Sequence, residues 1–152
     1  VGMLGHSMGG GVTMNVLETR PDLVEAAVLF APVSGDVRDN FERWTKRRPE
    51  VVEKIIAAYG TPDQDPAFWD NLSPLTFIQS VKAPVLIHHG AADDSVPLAW
   101  SEGLDERLRA AGKDVTLRVY AGEPHEFIKA WPEVMRETVA FFNRYLNPPT
   151  LP

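Results

Sequence analysis

The chain has no cysteine, which excludes a disulfide framework and a thiolate metal site. That absence fits a reducing compartment such as the cytoplasm without requiring one. No apolar run approaches the length of a membrane span, and no secretion signal is visible, so no membrane partner is expected. Basic residues are also short: 15 Lys and Arg against 21 Asp and Glu give a net charge of −6. A nucleic-acid partner is therefore not expected, because phosphate neutralisation needs a basic face. The one basic run, Lys46-Arg47-Arg48, precedes Pro49 and reads as the C-terminal cap of a helix. Internal repeats and low-complexity segments are missing too. What remains is an ordinary globular composition, 44% hydrophobic and 24% charged over 152 residues, the size of one domain.

Against this plain background one motif stands out at the start. Gly5-His6-Ser7-Met8-Gly9 has the G-x-S-x-G form of a nucleophile elbow, with an apolar lead-in ahead of it. The chain must turn sharply from strand to helix, holding Ser7 in a strained backbone conformation with its hydroxyl clear of the sheet. Gly5 and Gly9 are expected to flank the turn because a side chain at either would collide across it. Gly9, Gly10 and Gly11 are poor helix formers, each costing about 1 kcal/mol relative to Ala, so their clustering points to close approach of a neighbouring strand or substrate. The following helix should bury Met8, Val12, Val16 and Leu17 and stop at Arg20-Pro21-Asp22. A flexible glycine-rich turn is the competing, weaker reading.

Further along, Ala26 to Ala31 and Ala83 to Gly90 are short continuous apolar runs, as expected of strands buried on both faces of a parallel sheet. Val115 to Tyr120 alternates with period two, as expected nearer a sheet edge. Helices are predicted from Val96 to Gly112, with Trp100, Leu104, Leu108 and Ala111 on one face. Another runs from Trp131 to Leu146, with Met135, Val139, Phe142 and Leu146 on one stripe and Pro148-Pro149 as its stop. Between the first two apolar runs, about residues 35–80, no strand signal occurs. Val51, Val52, Ile55, Ile56 and Tyr59 keep helical period, Gly60 stops it, and Asp65-Pro66 and Ser73-Pro74 read as helix starts. This segment is a helical insertion in an otherwise alternating α/β chain with right-handed crossovers.

A serine hydroxyl is a weak nucleophile and needs a base, itself oriented by a carboxylate. In an open parallel sheet such groups lie in loops at the carboxyl ends of strands. Asp93 follows the strand ending at Gly90, and His125 follows the strand ending at Tyr120. Asp94 is the alternative acid, and either aspartate could simply cap the helix ahead of it. His6 adjoins Ser7 in sequence but should point away from a tight elbow, as packing or pocket lining. His88 and His89 belong to a strand end and lack the carboxylates of a metal site.

On these residues the chain resembles the α/β-hydrolase superfamily, closest to the prolyl-oligopeptidase-like (S9) serine peptidases and their esterase relatives. The resemblance is carried by Gly5 to Gly10, by Ala83 to Pro97 and by Tyr120-Ala121-Gly122-Glu123-Pro124-His125-Glu126-Phe127. It implies the C-terminal half of an α/β-hydrolase fold, with the insertion at about 35–80 as a helical cap over the site. It implies a triad of Ser7, Asp93 and His125, the acid being the aspartate three residues after the glycine. The substrate would be a peptide or small ester, cleaved without cofactor or metal, with the Met8 backbone N–H in the oxyanion hole.

Among the cap aromatics Phe41, Trp44, Phe68 and Trp69, most are expected to form a small core and one or two to line a substrate pocket, with Trp44 and Trp69 as the candidates. The family fold has about eight strands and this chain supplies the fifth onward, so the second oxyanion donor is expected from a loop upstream. The stretch 1–152 expressed alone is expected to be poorly soluble and inactive. A non-catalytic binding module of the same fold is the alternative in a different class; the triad does not decide between peptidase and carboxylesterase.

Overall fold

A computed structural model describes residues 1–146; the expected Pro148-Pro149 stop lies outside them. Four strands alternate with helices: β1 (Gly2–His6), α1 (Met8–Thr19), β2 (Ala26–Phe30), β3 (Val85–Gly90), α5 (Leu98–Ala110), β4 (Val115–Tyr120) and α6 (Trp131–Leu146). The helices α2 (Val37–Arg43), α3 (Pro49–Tyr59) and α4 (Pro66–Leu72) fall between β2 and β3, joined by 3-10 turns at Thr45–Arg47 and Pro74–Ser80. The strands pair in the order β1-β2-β3-β4, all parallel. Parallel pairing leaves every strand's carboxyl end on one side, where the loops after β1, β3 and β4 can meet.

The apolar runs sort by parity. Ala27, Leu29, Val85 and Ile87 face a core built with Met14 and Leu17 of α1 and Leu104 and Leu108 of α5. Val28, Phe30 and Leu86 face the opposite core, with Phe127 and Val134 of the α6 side. Every β2 and β3 residue is buried, as two-sided coverage of central parallel strands requires. β4 is an edge strand among the described residues, but the expected alternation is not kept: burial fades from Val115 to an exposed Arg118 and Val119. β1 is the other edge among the described residues, and Leu4 on it is exposed.

Two helical faces differ from expectation. α1 buries Gly10, Thr13, Met14 and Leu17, while Met8 and Val12 are exposed. In its first turns α1 makes close contact through Gly10 and Thr13, and only from Met14 onward do large side chains fill the core against the sheet. α6 buries Val134 and Thr138 and leaves Val139 exposed. Thr138 is turned inward by a polar partner: its Oγ1 lies 3.2 Å from Nε2 of the fully buried His88.

The insertion is helical throughout, as read. Gly60 ends α3 at φ 72°, a conformation that favours glycine, and the Asp65 carboxylate caps α4 by accepting from the Phe68 N–H at 3.0 Å. Ser73 does not cap the 3-10 turn after it. Its hydroxyl donates to the Trp69 carbonyl and accepts from the Val37 N–H, tying α4 to α2.

Glu18, on the buried side of α1, has a carboxylate oxygen with no partner among the described residues, and burial pushes its pKa up to about 8. A folded-state pKa above the unfolded value of 4.5 favours the fold fully below that value, and the benefit is lost as pH rises through 8. Glu18→Gln, which cannot ionise, is therefore expected to leave stability unchanged at pH 4. At pH 9 it should raise stability by up to about 5 kcal/mol, read by denaturant titration at both pH values.

Candidate active site

Ser7 sits between β1 and α1 at φ 56°, ψ −119°, a strained conformation for a residue with a side chain. Its backbone is held from three directions. The Ser7 N–H donates to the Phe30 carbonyl at 2.8 Å, while its own carbonyl accepts from Gly10 and Val33. The strain is thus over-determined by β2 and the segment after it.

Glycine makes the turn possible, though not at both expected places. A Cβ on Gly5 would overlap the Gly9 carbonyl and press on Thr13 Oγ1; one on Gly10 or Gly11 would strike Pro32 or Val33. A Cβ on Gly9 would meet nothing within 4 Å, so the expected collision at Gly9 is corrected. It is the Gly9 backbone, not the room beside its Cα, that the turn uses. At the end of β3 a Cβ on Gly90 would overlap the Glu123 carbonyl and lie 2.6 Å from that of Pro124. Gly90 therefore lets the loop carrying His125 cross directly over the loop carrying Asp93. Sequence reading assigned it only a strand end.

The Asp93 side chain is inaccessible to solvent. Its Oδ1 accepts from the backbone N–H groups of Ser95 and Val96, each at 2.8 Å, and its Oδ2 accepts from His125 Nδ1 at 2.6 Å. One carboxylate thus shapes its own turn and engages the histidine. Burial alone would raise its pKa, but the hydrogen bond from His125, the N–H groups and the neighbouring imidazole outweigh it and hold the carboxyl below its ordinary range. Asp94 is exposed and makes no such contact; its backbone carbonyl accepts from Arg43 of α2 at 2.9 Å.

His125 is buried, and with Nδ1 donating to Asp93 its Nε2 is left as the lone-pair nitrogen. His6 packs its ring against His125 at 4.4 Å and donates from Nε2 to the His125 carbonyl at 3.0 Å. Exposed on its outer side, it also lines a small cavity with Leu4 and Phe30, and it anchors the histidine loop. Phe127, at φ 53° and fully buried between Phe30 and Tyr120, anchors the loop's other side.

Ser7, Met8 and His125 line one cleft of about 520 Å³, closed by Val33, Val96 and the cap residues Asn40, Trp44 and Thr45. Arg43 clamps this wall in place: it donates to the carbonyls of Asp94 and Ser95 and lies over the rings of Trp44 and Trp100. Trp69 does not line the cleft. It is buried inside the cap against Phe41 and Phe68 and borders an apolar cavity of about 250 Å³ that adjoins the cleft at Asn40 and Thr45. Four cap aromatics look alike in sequence; it is Trp44, edge-on to Trp100 of α5 with ring centroids 5.4 Å apart, that stands at the cleft.

The prolyl oligopeptidase family model matches residues 1–149. The chain belongs to the prolyl oligopeptidase family. It is 31% identical over 112 residues to a probable dipeptidyl peptidase 4 of Aspergillus clavatus, covering 74% of this chain and 13% of that protein. It is 28% identical over 125 residues to the uncharacterized peptidase YtmA of Bacillus subtilis, covering 82% and 47%. The fold matches a puromycin-hydrolyzing peptidase of Mycobacterium tuberculosis with a TM-score of 0.74 at 25% identity, over 95% of this chain and 22% of that one. The chain thus spans less than half the length of these relatives, and its sheet and flanking helices are those of an α/β-hydrolase domain of this family.

The two elbow glycines should separate by mutation. Gly9→Ala is expected to keep or raise stability by about 0.5–1 kcal/mol through better helix propensity. Gly5→Ala is expected to unfold the elbow, losing several kcal/mol in the same melt.

Proposed function

We propose that the protein carrying this chain is a serine peptidase acting through an acyl-enzyme, with Ser7 as nucleophile, His125 as base and Asp93 as the orienting acid. The observation that carries this reading is the buried 2.6 Å hydrogen bond between Asp93 and His125, in a cleft that also exposes a strained Ser7. Similarity to proteins named as peptidases supports amide over ester cleavage.

In the reaction, His125 Nε2 takes the Ser7 proton as Oγ attacks the scissile carbonyl carbon. The oxyanion so formed lies at the start of α1, where the Met8 N–H faces no carbonyl among the described residues and the helix dipole adds positive potential. Collapse breaks the C–N bond, and the His125 proton leaves on the amine. Water then gives its proton to Nε2 and its oxygen to the acyl carbon, and Ser7 departs with the proton restored. Asp93 holds the ring and offsets its transient charge. Asp93, held below its ordinary carboxyl range, stays ionised at neutral pH for this role.

Val33, Trp44 and Val96 give the cleft an apolar wall suited to a hydrophobic side chain of a short peptide. Aminoacyl p-nitroanilides test the proposal in the full-length protein. Ser7→Ala is expected to abolish turnover, and Asp93→Asn to lower kcat about 10⁴-fold. Trp44→Ala should raise KM for bulky apolar residues while leaving kcat for small ones. Turnover surviving in Ser7→Ala would overturn the mechanism. Ester hydrolysis without amide hydrolysis would replace the peptidase reading with a carboxylesterase.

A further inference from the structure

His89 is the penultimate residue of β3, and its imidazole is fully buried directly behind Asp93. Its Nε2 lies 3.1 Å from the Val96 carbonyl and 3.3 Å from Asp93 Oδ2; its Nδ1 lies 2.7 Å from the hydroxyl of Ser101, also fully buried, on α5. A carbonyl can only accept, so Nε2 carries the hydrogen and Nδ1 is the acceptor for the Ser101 O–H. This fixes one neutral tautomer, and burial, outweighing the Val96 and Asp93 contacts, keeps the ring from protonating.

We infer that His89 is a positioning residue for the triad, aiming Asp93 at His125 through the Asp93–Val96 turn that its Nε2–H fastens and through the proximity of that N–H to the carboxylate. The inference rests on the triad reading above. Two paths converge on the same carboxylate. The direct path is electrostatic: the Nε2–H dipole stands 3.3 Å from Oδ2, the oxygen that accepts from His125, without making a hydrogen bond to it. The indirect path runs through Val96, whose carbonyl accepts from His89 while its N–H donates to Asp93 Oδ1. Ser101 sets the tautomer from the rigid side, since α5 is packed into the core through Leu104 and Leu108. The charged or titratable groups acting on His89 are Asp93, His125 and Glu102, the last exposed on α5.

Leaving the buried Val96 carbonyl without its donor costs about 1–3 kcal/mol, so loosening the turn that holds Asp93 should cost roughly 10- to 100-fold in rate. The experiment measures kcat, KM and the acid limb of the pH–rate profile in the full-length protein for His89→Phe, which keeps volume, and His89→Gln, which restores a donor near Nε2. Each is made in wild-type and Asp93→Asn backgrounds. Expected are a 10- to 100-fold lower kcat with unchanged KM and a displaced acid limb for Phe, and recovery of most of the loss for Gln. In the Asp93→Asn background the Phe change should cost little more, because the residue acts through Asp93. Equal losses in both backgrounds, equal defects for Phe and Gln, or a wild-type profile in His89→Phe would each overturn the inference. Should His89→Phe fail to fold, Ser101→Ala takes its place, with a several-fold drop in kcat expected and no drop overturning the inference. Undiminished activity in Asp93→Asn alone would instead sink the triad reading, a separable outcome.

Discussion

Backbone running on backbone without an intervening Cβ is the constraint on which this site depends. At Gly5 the first turn of α1 lies against the end of β1, and at Gly90 the histidine loop lies across the end of β3. Each approach removes a side chain's thickness between two segments, enough to bring a serine from one strand end and a histidine from another into a single cleft. The parallel register does the rest by placing both strand ends on the same side of the sheet.

Electrostatics then takes over from sterics. A carboxylate removed from water is costly unless its oxygens are satisfied. Asp93 meets that condition with backbone N–H groups on one oxygen and the His125 imidazole on the other. The donors that make its burial tolerable are the same ones that fix its direction. The cap joins this arrangement through Arg43, whose guanidinium holds the carbonyls of Asp94 and Ser95, so the wall of the cleft and the acid's turn move as one unit.

The parts of this account legible in the sequence are those in which a short segment carries its own geometry. The elbow, the run from Val85 to Pro97 and the loop from Tyr120 to Phe127 each combine a strand with its exit turn, so order and spacing placed Ser7, Asp93 and His125 at strand ends. The buried strands were equally readable, since continuous apolar runs have few other uses. Helical faces were not: hydrophobicity alone chose Met8 and Val12 on α1, whereas close contact in its first turns is made through Gly10 and Thr13. Nor could four similar aromatics in the cap be sorted into Trp44 beside the cleft and Trp69 inside the core. His6 gains its contact from a loop 119 residues away, and His89 meets Val96 and Ser101 only through the way the turn after β3 folds back on it, which no local pattern records.

The central claim, that the strained Ser7 is an activated nucleophile served by His125 and Asp93, is met most directly by covalent labelling. The full-length protein is treated with an alkyl fluorophosphonate, digested and mapped by mass spectrometry. The account predicts one adduct, on the peptide containing Ser7, formed at least 10³-fold more slowly in His125→Ala. An unlabelled Ser7 peptide, or labelling at the same rate without His125, would contradict it.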